Sequence, residues 1–169
     1  MELLIVRHAI AFEPDARRWP DDSERPLSPR GVARARKAAA GLKQLVPAPG
    51  RVLVSPLVRT RQTAAILTEV AGWPDATLCA ELAPGGSPEA LLALLKRARE
   101  TRIAVVGHEP GLGRLVAVSL SGAVSAQGFG FRKMGAALLS FRGAARAGTA
   151  QLKWLVPPRV LRAARPRGR

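Results

Sequence analysis

The chain has 169 residues, enough for one domain with a real core, and a net charge of +15 from 27 Lys and Arg against 12 Asp and Glu. With three Trp, four Phe and no Tyr, that core must be built mainly from Leu, Val, Ile and Ala. No apolar run approaches a membrane span, no secretory leader pattern opens the chain, and the single cysteine, Cys79, excludes an intrachain disulfide, so the expected setting is the cytoplasm.

Residues 2–6 are an apolar strand that ends abruptly on Arg7 and His8. Residues 13–27, with Pro14, Pro20 and Pro26, read as a loop. Ser28-Pro29 has the form of a helix cap and first-turn proline, and the alanine-rich stretch behind it predicts a helix to Val46. RVLVS (51–55) is a second strand, Pro56 to Ala71 a second helix, and TLCA (77–80) a short strand. Ser87-Pro88 repeats the cap pattern and predicts a helix to about Glu100. IAVVG (103–107) is another buried strand, and Pro110 opens a helix to about Leu120. AALLSF (136–141) and QLKWLV (151–156) pair around a turn-rich stretch. Strands alternating with helices predict a three-layer α/β/α sandwich with a central, mostly parallel sheet. We take residues 1–158 as one domain and 159–169, with five arginines, as a basic, solvated tail.

The chain holds only two histidines, and their settings match: His8 follows LLIV R, and His108 follows IAVVG. Ligands of parallel α/β sheets lie beyond the carboxyl ends of the strands, so neighbouring strands would bring both imidazoles to one edge. Arg7 at such a place needs an anion or water, and a phosphate suits a guanidinium in bidentate fashion. In the helix after the second strand, Arg59 shares a stripe with Thr63, Ile66 and Val70, whereas Arg61 aligns with a mostly polar side. Arg59 should therefore face the sheet edge near the helix start, where free N–H groups and the helix dipole favour an anion. In GHEPGLG (107–113), Gly107 would permit close approach of a ligand, and the helix after Pro110 would aim its amino end at the same edge. The stretch does not fit a nucleotide-binding fingerprint.

Together, VRHA, RPLSPRG (25–31), VLVSPLVRTRQTA (52–64) and VVGHEPGL (105–112) resemble the histidine phosphatase superfamily, the phosphoglycerate-mutase-like proteins. The short length and the Ser-Pro-x-x-Arg block resemble its SixA-type phosphohistidine phosphatase branch. The resemblance implies that His8 is the nucleophile that takes up the phosphoryl group, that Arg7, Arg59 and His108 bind phosphate around it, and that no metal or other cofactor is needed. Ala9 departs from the glycine usual after the first histidine and would bring a methyl group close to the pocket. For a proton donor, Glu81 is the first candidate, since it follows a short strand and precedes a turn; Asp21, Asp22 and Glu109 come after it.

The expected substrate is a phosphohistidine on a partner protein, whose leaving imidazole makes little demand on an acid. A small phosphate ester is the alternative. A third reading, from a different class, is a basic module that binds phosphate or nucleic acid through the tail, although no aromatic residues interleave with the basic ones. No membrane partner is expected.

Overall fold

The structure, a computed structural model, describes residues 1–123 and 129–164. Six strands form one sheet: β1 (Glu2–Arg7), β2 (Arg51–Val54), β3 (Ala76–Leu78), β4 (Arg102–Gly107), β5 (Ala136–Phe141) and β6 (Ala150–Val156), in the order β3-β2-β4-β1-β5-β6. The first four are mutually parallel, and β5 and β6 add antiparallel pairings on the β1 side. Helices cover both faces. On one lie α1 (Pro29–Leu45), α2 (Val58–Ala71) and α5 (Pro158–Ala164); on the other lie α3 (Pro88–Leu95) and α4 (Gly111–Ser121).

Alternation along each strand divides the core. Leu4 and Val6 of β1 join Ala104 and Val106 of β4 on the α1–α2 face, and Leu3, Ile5, Ile103 and Val105 point to the α3–α4 face. Because β1 and β4 are fully buried central strands, both faces need apolar residues, which is why they read as unbroken runs. Alanine dominates the inner side of α1, where Ala35, Ala38 and Ala39 are buried and let the helix lie close to the sheet. Ser28 caps that helix, its hydroxyl accepting from the Gly31 N–H at 3.1 Å, with Pro29 in the first turn. Gly31 itself is required by a close approach: a Cβ there would stand 1.8 Å from the carbonyl oxygen of Ile10.

Two elements depart from expectation. Helix α3 stops at Leu95 rather than near Glu100, because Leu91, Leu92 and Leu95 complete its buried face and the chain must turn back to enter β4. The tail is not solvated from its start: Pro158–Ala164 form α5, which packs on α1 and seats Leu161, fully buried, in the core. The boundary drawn at 158/159 thus falls inside a helix, and the basic end beyond Ala164 lies outside the described residues. At Gly107 the structure shows a packing constraint, since a Cβ there would meet Leu112 Cδ2 at 3.1 Å and Leu82 Cδ2 at 3.3 Å.

Candidate active site

The register of β1 on β4 pairs Arg7 with Gly107, so the residues that follow each strand, His8 and His108, emerge side by side. Their ring centroids are 5.0 Å apart. The His8 backbone N–H donates to the Gly107 carbonyl at 3.1 Å, which extends the ladder one step and fixes the spacing. On the other flank β2 ends at Val54, and the Ser55 N–H continues that ladder to the Val106 carbonyl. Three neighbouring strands therefore deliver Arg7, His8, Ser55 and His108 to one carboxyl edge, and α2, starting just after β2, adds Arg59.

His8 is 7 % exposed, and its Nδ1 lies 2.7 Å from the Ala9 carbonyl oxygen. A carbonyl accepts only, so Nδ1 carries the proton and Nε2 keeps its lone pair. Burial pushes the His8 pKa down to about 4; the bond to Ala9 opposes this, and Arg59, Arg7 and Lys133 reinforce it. His108, 6 % exposed, is pushed down to about 3, first by burial and then by His8, Arg59 and Arg7, against the opposing charge of Asp22. Both rings are neutral near pH 7. The Ser55 hydroxyl sits 2.9 Å from His108 Nε2.

Arg59 is 5 % exposed, and its Nη1 donates to the Asp22 carbonyl at 2.7 Å while Nη2 pairs with the Asp22 carboxylate at 3.1 Å. Arg7 Nη1 donates to the Phe131 carbonyl at 2.6 Å. The Nε–H of each arginine is buried with no hydrogen-bond partner among the described residues. Two unmatched guanidinium donors beside a neutral imidazole are an unfilled demand for an oxyanion. Burial lowers the pKa of both arginines, with Glu109 opposing at Arg7 and Asp22 at Arg59. The amino end of α2 adds to the demand: Leu57 offers no side-chain cap, and although the Thr60 and Arg61 N–H groups donate back to the Leu57 carbonyl, those of Val58 and Arg59 have no partner among the described residues.

The methyl of Ala9 does not crowd this site: it is buried in the core, and the Ala9 N–H donates to Thr63 Oγ1 at 3.0 Å. Thr63 in turn donates to the Arg59 carbonyl at 2.7 Å, tying the His8 turn to α2. Thr63 and Ser55 were not read as site residues. Thr63 could have been found, because it lies one turn beyond Arg59 on the same stripe; Ser55, the last residue of RVLVS, carries no such signal.

The acidic candidates separate. Glu81, in a 3-10 turn at Ala80–Leu82, borders a small cleft with His108, but its carboxylate accepts from the Cys79 thiol at 3.2 Å. Backbone and thiol bonds hold its pKa below the usual carboxylate range, the wrong direction for an acid, and among the described residues no bond links it to His8, Arg7 or Arg59. Glu109 points backwards: its carboxylate accepts from Gly113 N–H at 3.1 Å and Phe131 N–H at 2.6 Å. It thereby occupies the amino end of α4, which is not open to a ligand as the sequence suggested. Asp21 caps the 3-10 turn at Asp22–Glu24, accepting from the Ser23 N–H. Asp22 alone reaches the site, bridging Arg59 and Arg25 at its rim.

Among the described residues no cluster of His, Cys, Asp and Glu is arranged to hold a metal ion, and no helix is long and apolar enough to cross a membrane.

A comparison of solved structures finds the protein histidine phosphatase SixA complexed with tungstate, with a TM-score of 0.81 and 29 % identity, covering 95 % of this chain and 99 % of that one. An uncharacterised protein of Picosynechococcus is 40 % identical over 116 residues, 67 % of this chain and 69 % of that protein. One of Mycobacterium tuberculosis is 36 % identical over 121 residues, 69 % of this chain and 72 % of that protein. The family model of the histidine phosphatase superfamily (branch 1) matches residues 3–83, the span that holds Arg7, His8 and Arg59. The chain belongs to that superfamily. Within it, the protein is an enzyme of the SixA-like kind, with the phosphoglycerate-mutase-like fold.

Proposed function

We propose that the protein is a phosphatase that works through a phosphohistidine on His8 and acts on phosphohistidine in a partner protein. The observation that carries this reading is His8 with Nδ1 held on the Ala9 carbonyl and Nε2 free, beside two buried guanidinium N–H groups without partners. SixA, with the same fold, takes up tungstate, a tetrahedral oxyanion shaped like phosphate.

The chemistry follows from the geometry. Arg7 and Arg59 hold the phosphoryl oxygens, and with the Ser55 hydroxyl donating to His108 Nε2, the Nδ1–H of His108 donates to a third. His8 Nε2 attacks phosphorus in line, the bond from phosphorus to the leaving group breaks, and the phosphoryl group rests on Nε2. Water then attacks phosphorus; His8 leaves with its lone pair restored, and inorganic phosphate departs. The positive groups do the work of neutralisation, so no metal is called for.

The proton balance favours phosphohistidine over an ester. An alkoxide leaving group needs an acid; neither Glu81 nor Glu109 is oriented to supply one, and Asp22, which does reach the site, is held below the usual carboxylate range by its bond to Arg25 and its pairing with Arg59, the wrong direction for an acid. An imidazole leaving group takes its proton from water on the distal nitrogen before the bond breaks and departs neutral. The lone free thiol, Cys79, suits the cytoplasm.

The test is release of phosphate, in EDTA, from a phosphohistidine peptide and from a panel of small esters. The expected result is faster turnover of the peptide, slow turnover of aryl esters, and loss of both in His8→Ala. Faster turnover of a small ester would shift the substrate to that class, and turnover by His8→Ala would remove the nucleophile.

A further inference from the structure

Beside the site runs a furrow whose charge the reaction does not use. A groove of about 350 Å³ is lined by Arg132, Arg159 and Arg162, with Pro157 and Pro158 between them. It shares Arg132 and Pro157 with a second hollow that continues along Gly130 to Phe131. Phe131 is the residue whose carbonyl receives Arg7 Nη1, so the furrow leads from the start of α5 to the phosphate-binding edge.

The segment between is held firmly to the nucleophile strand. Met134, at φ 65, turns its N–H toward the carbonyls of Arg7 and His8, each at 3.1 Å, and the Arg7 N–H donates to Gly135 at 3.1 Å. Arg132 and Lys133 are thereby fixed at the rim, and the charge of Lys133 is felt at His8. The three furrow arginines form no ion pair among the described residues. The sequence explains why: no Asp or Glu follows Glu109, whereas eleven Lys and Arg do. The buried Leu161 anchors α5, so Arg159 and Arg162 stand on a fixed helix and not on a loose tail.

We propose that this furrow docks an acidic segment of the phosphoprotein substrate, flanking its phosphohistidine. The proposal rests on the phosphohistidine reading above and adds what selects the partner: carboxylates in extended chain beside the phosphoryl group. Rim charges of this kind act mainly on encounter and specificity, and they are screened by salt.

Docking and turnover are measured separately. Anisotropy of a labelled, unphosphorylated twelve-residue peptide rich in Glu and Asp reports docking in low salt. The double variant Arg159→Ser/Arg162→Ser should weaken binding about fivefold or more, added salt should weaken the wild type, and turnover of an aryl phosphate should be unchanged. The single variant Arg159→Glu, at an exposed position, gives the same readout without risk to the helix. Equal binding by wild type and Arg159→Glu overturns the proposal. So does a DNA duplex or an anionic vesicle that binds more tightly than the peptide and is what the variants lose. Phosphohistidine peptides with acidic and with neutral flanks complete the test. Faster turnover of the acidic one, lost in the variants, supports docking. Equal turnover of both leaves the phosphohistidine reading standing and removes the docking. Peptide binding through the furrow with no phosphohistidine turnover leaves the docking and removes the substrate.

Discussion

The proposed phosphate binding turns on the Asp22–Arg59 pair. Arg59 is buried and Asp22 more than half exposed, at 6 % and 56 % of their side chains. An arriving phosphate competes with that carboxylate for the same guanidinium, and an ion pair so wetted on one side is worth about 1 kcal/mol, or about fivefold in binding. Asp22→Asn should therefore tighten inhibition by vanadate by about that factor; weaker inhibition would show that Asp22 holds Arg59 in its working position. Glu81→Gln should leave phosphohistidine turnover within about twofold of wild type, since its carboxylate is occupied by Cys79. A loss of a hundredfold would restore Glu81 as a proton donor. At this scale the sequence was readable where chemistry interrupts hydrophobicity. Arg7, His8 and His108 stand out because each ends a buried run, and Arg59 because of its stripe. Thr63 lies on that same stripe, but Ser55 and the placement of Asp22 were not readable, since each acts through a partner distant in the chain: His108 and Arg59.

Elements differ in how openly they announce themselves. The central strands β1 and β4 are unbroken apolar runs, and α1 and α3 begin at Ser-Pro caps, so their starts were plain in the residues. Helix α5 carries the same first-turn proline at Pro158, but no Ser or Thr precedes it, and its arginines hide the one leucine that anchors it. That leucine makes the segment structural. Leu161→Ala should cost about 2–5 kcal/mol, and ending the chain at Pro157 should lower the urea midpoint as well as polyanion binding. An unchanged midpoint in both variants would return the segment to a solvated tail. The end of α3 was misplaced because ALLALLKRARE offers good helix formers throughout. The need to reach β4 decides where it stops, and that need lies outside the helix.

For the whole molecule, the two buried histidines link the site to stability. Their folded pKa values, about 4 and about 3, lie below the ordinary 6.5. Between these limits the unfolded chain binds protons that the folded one refuses, so the unfolded state is favoured as pH falls. The stability they confer is complete above about pH 6.5 and is lost progressively down to about pH 4 and 3, amounting to several kcal/mol in order of magnitude. Urea midpoints measured from pH 7 to 4 should fall, and the fall should be smaller in His8→Asn/His108→Asn; equal slopes would mean that other groups carry it. The mostly parallel layout that juxtaposes the rings was legible from the alternation of strands and helices. That β4 lies directly against β1 was only a condition of the sequence argument, because strand order depends on crossovers that local patterns do not encode.

The central claim is that the phosphoryl group passes through His8. The direct measurement is a rapid alkaline quench of enzyme mixed with labelled phosphohistidine peptide, followed by mapping of the label in the digested protein. The account predicts an alkali-stable, acid-labile phosphate on the peptide that carries His8, absent from His8→Ala. Label on another residue, or full turnover with no labelled enzyme at any time, would contradict it.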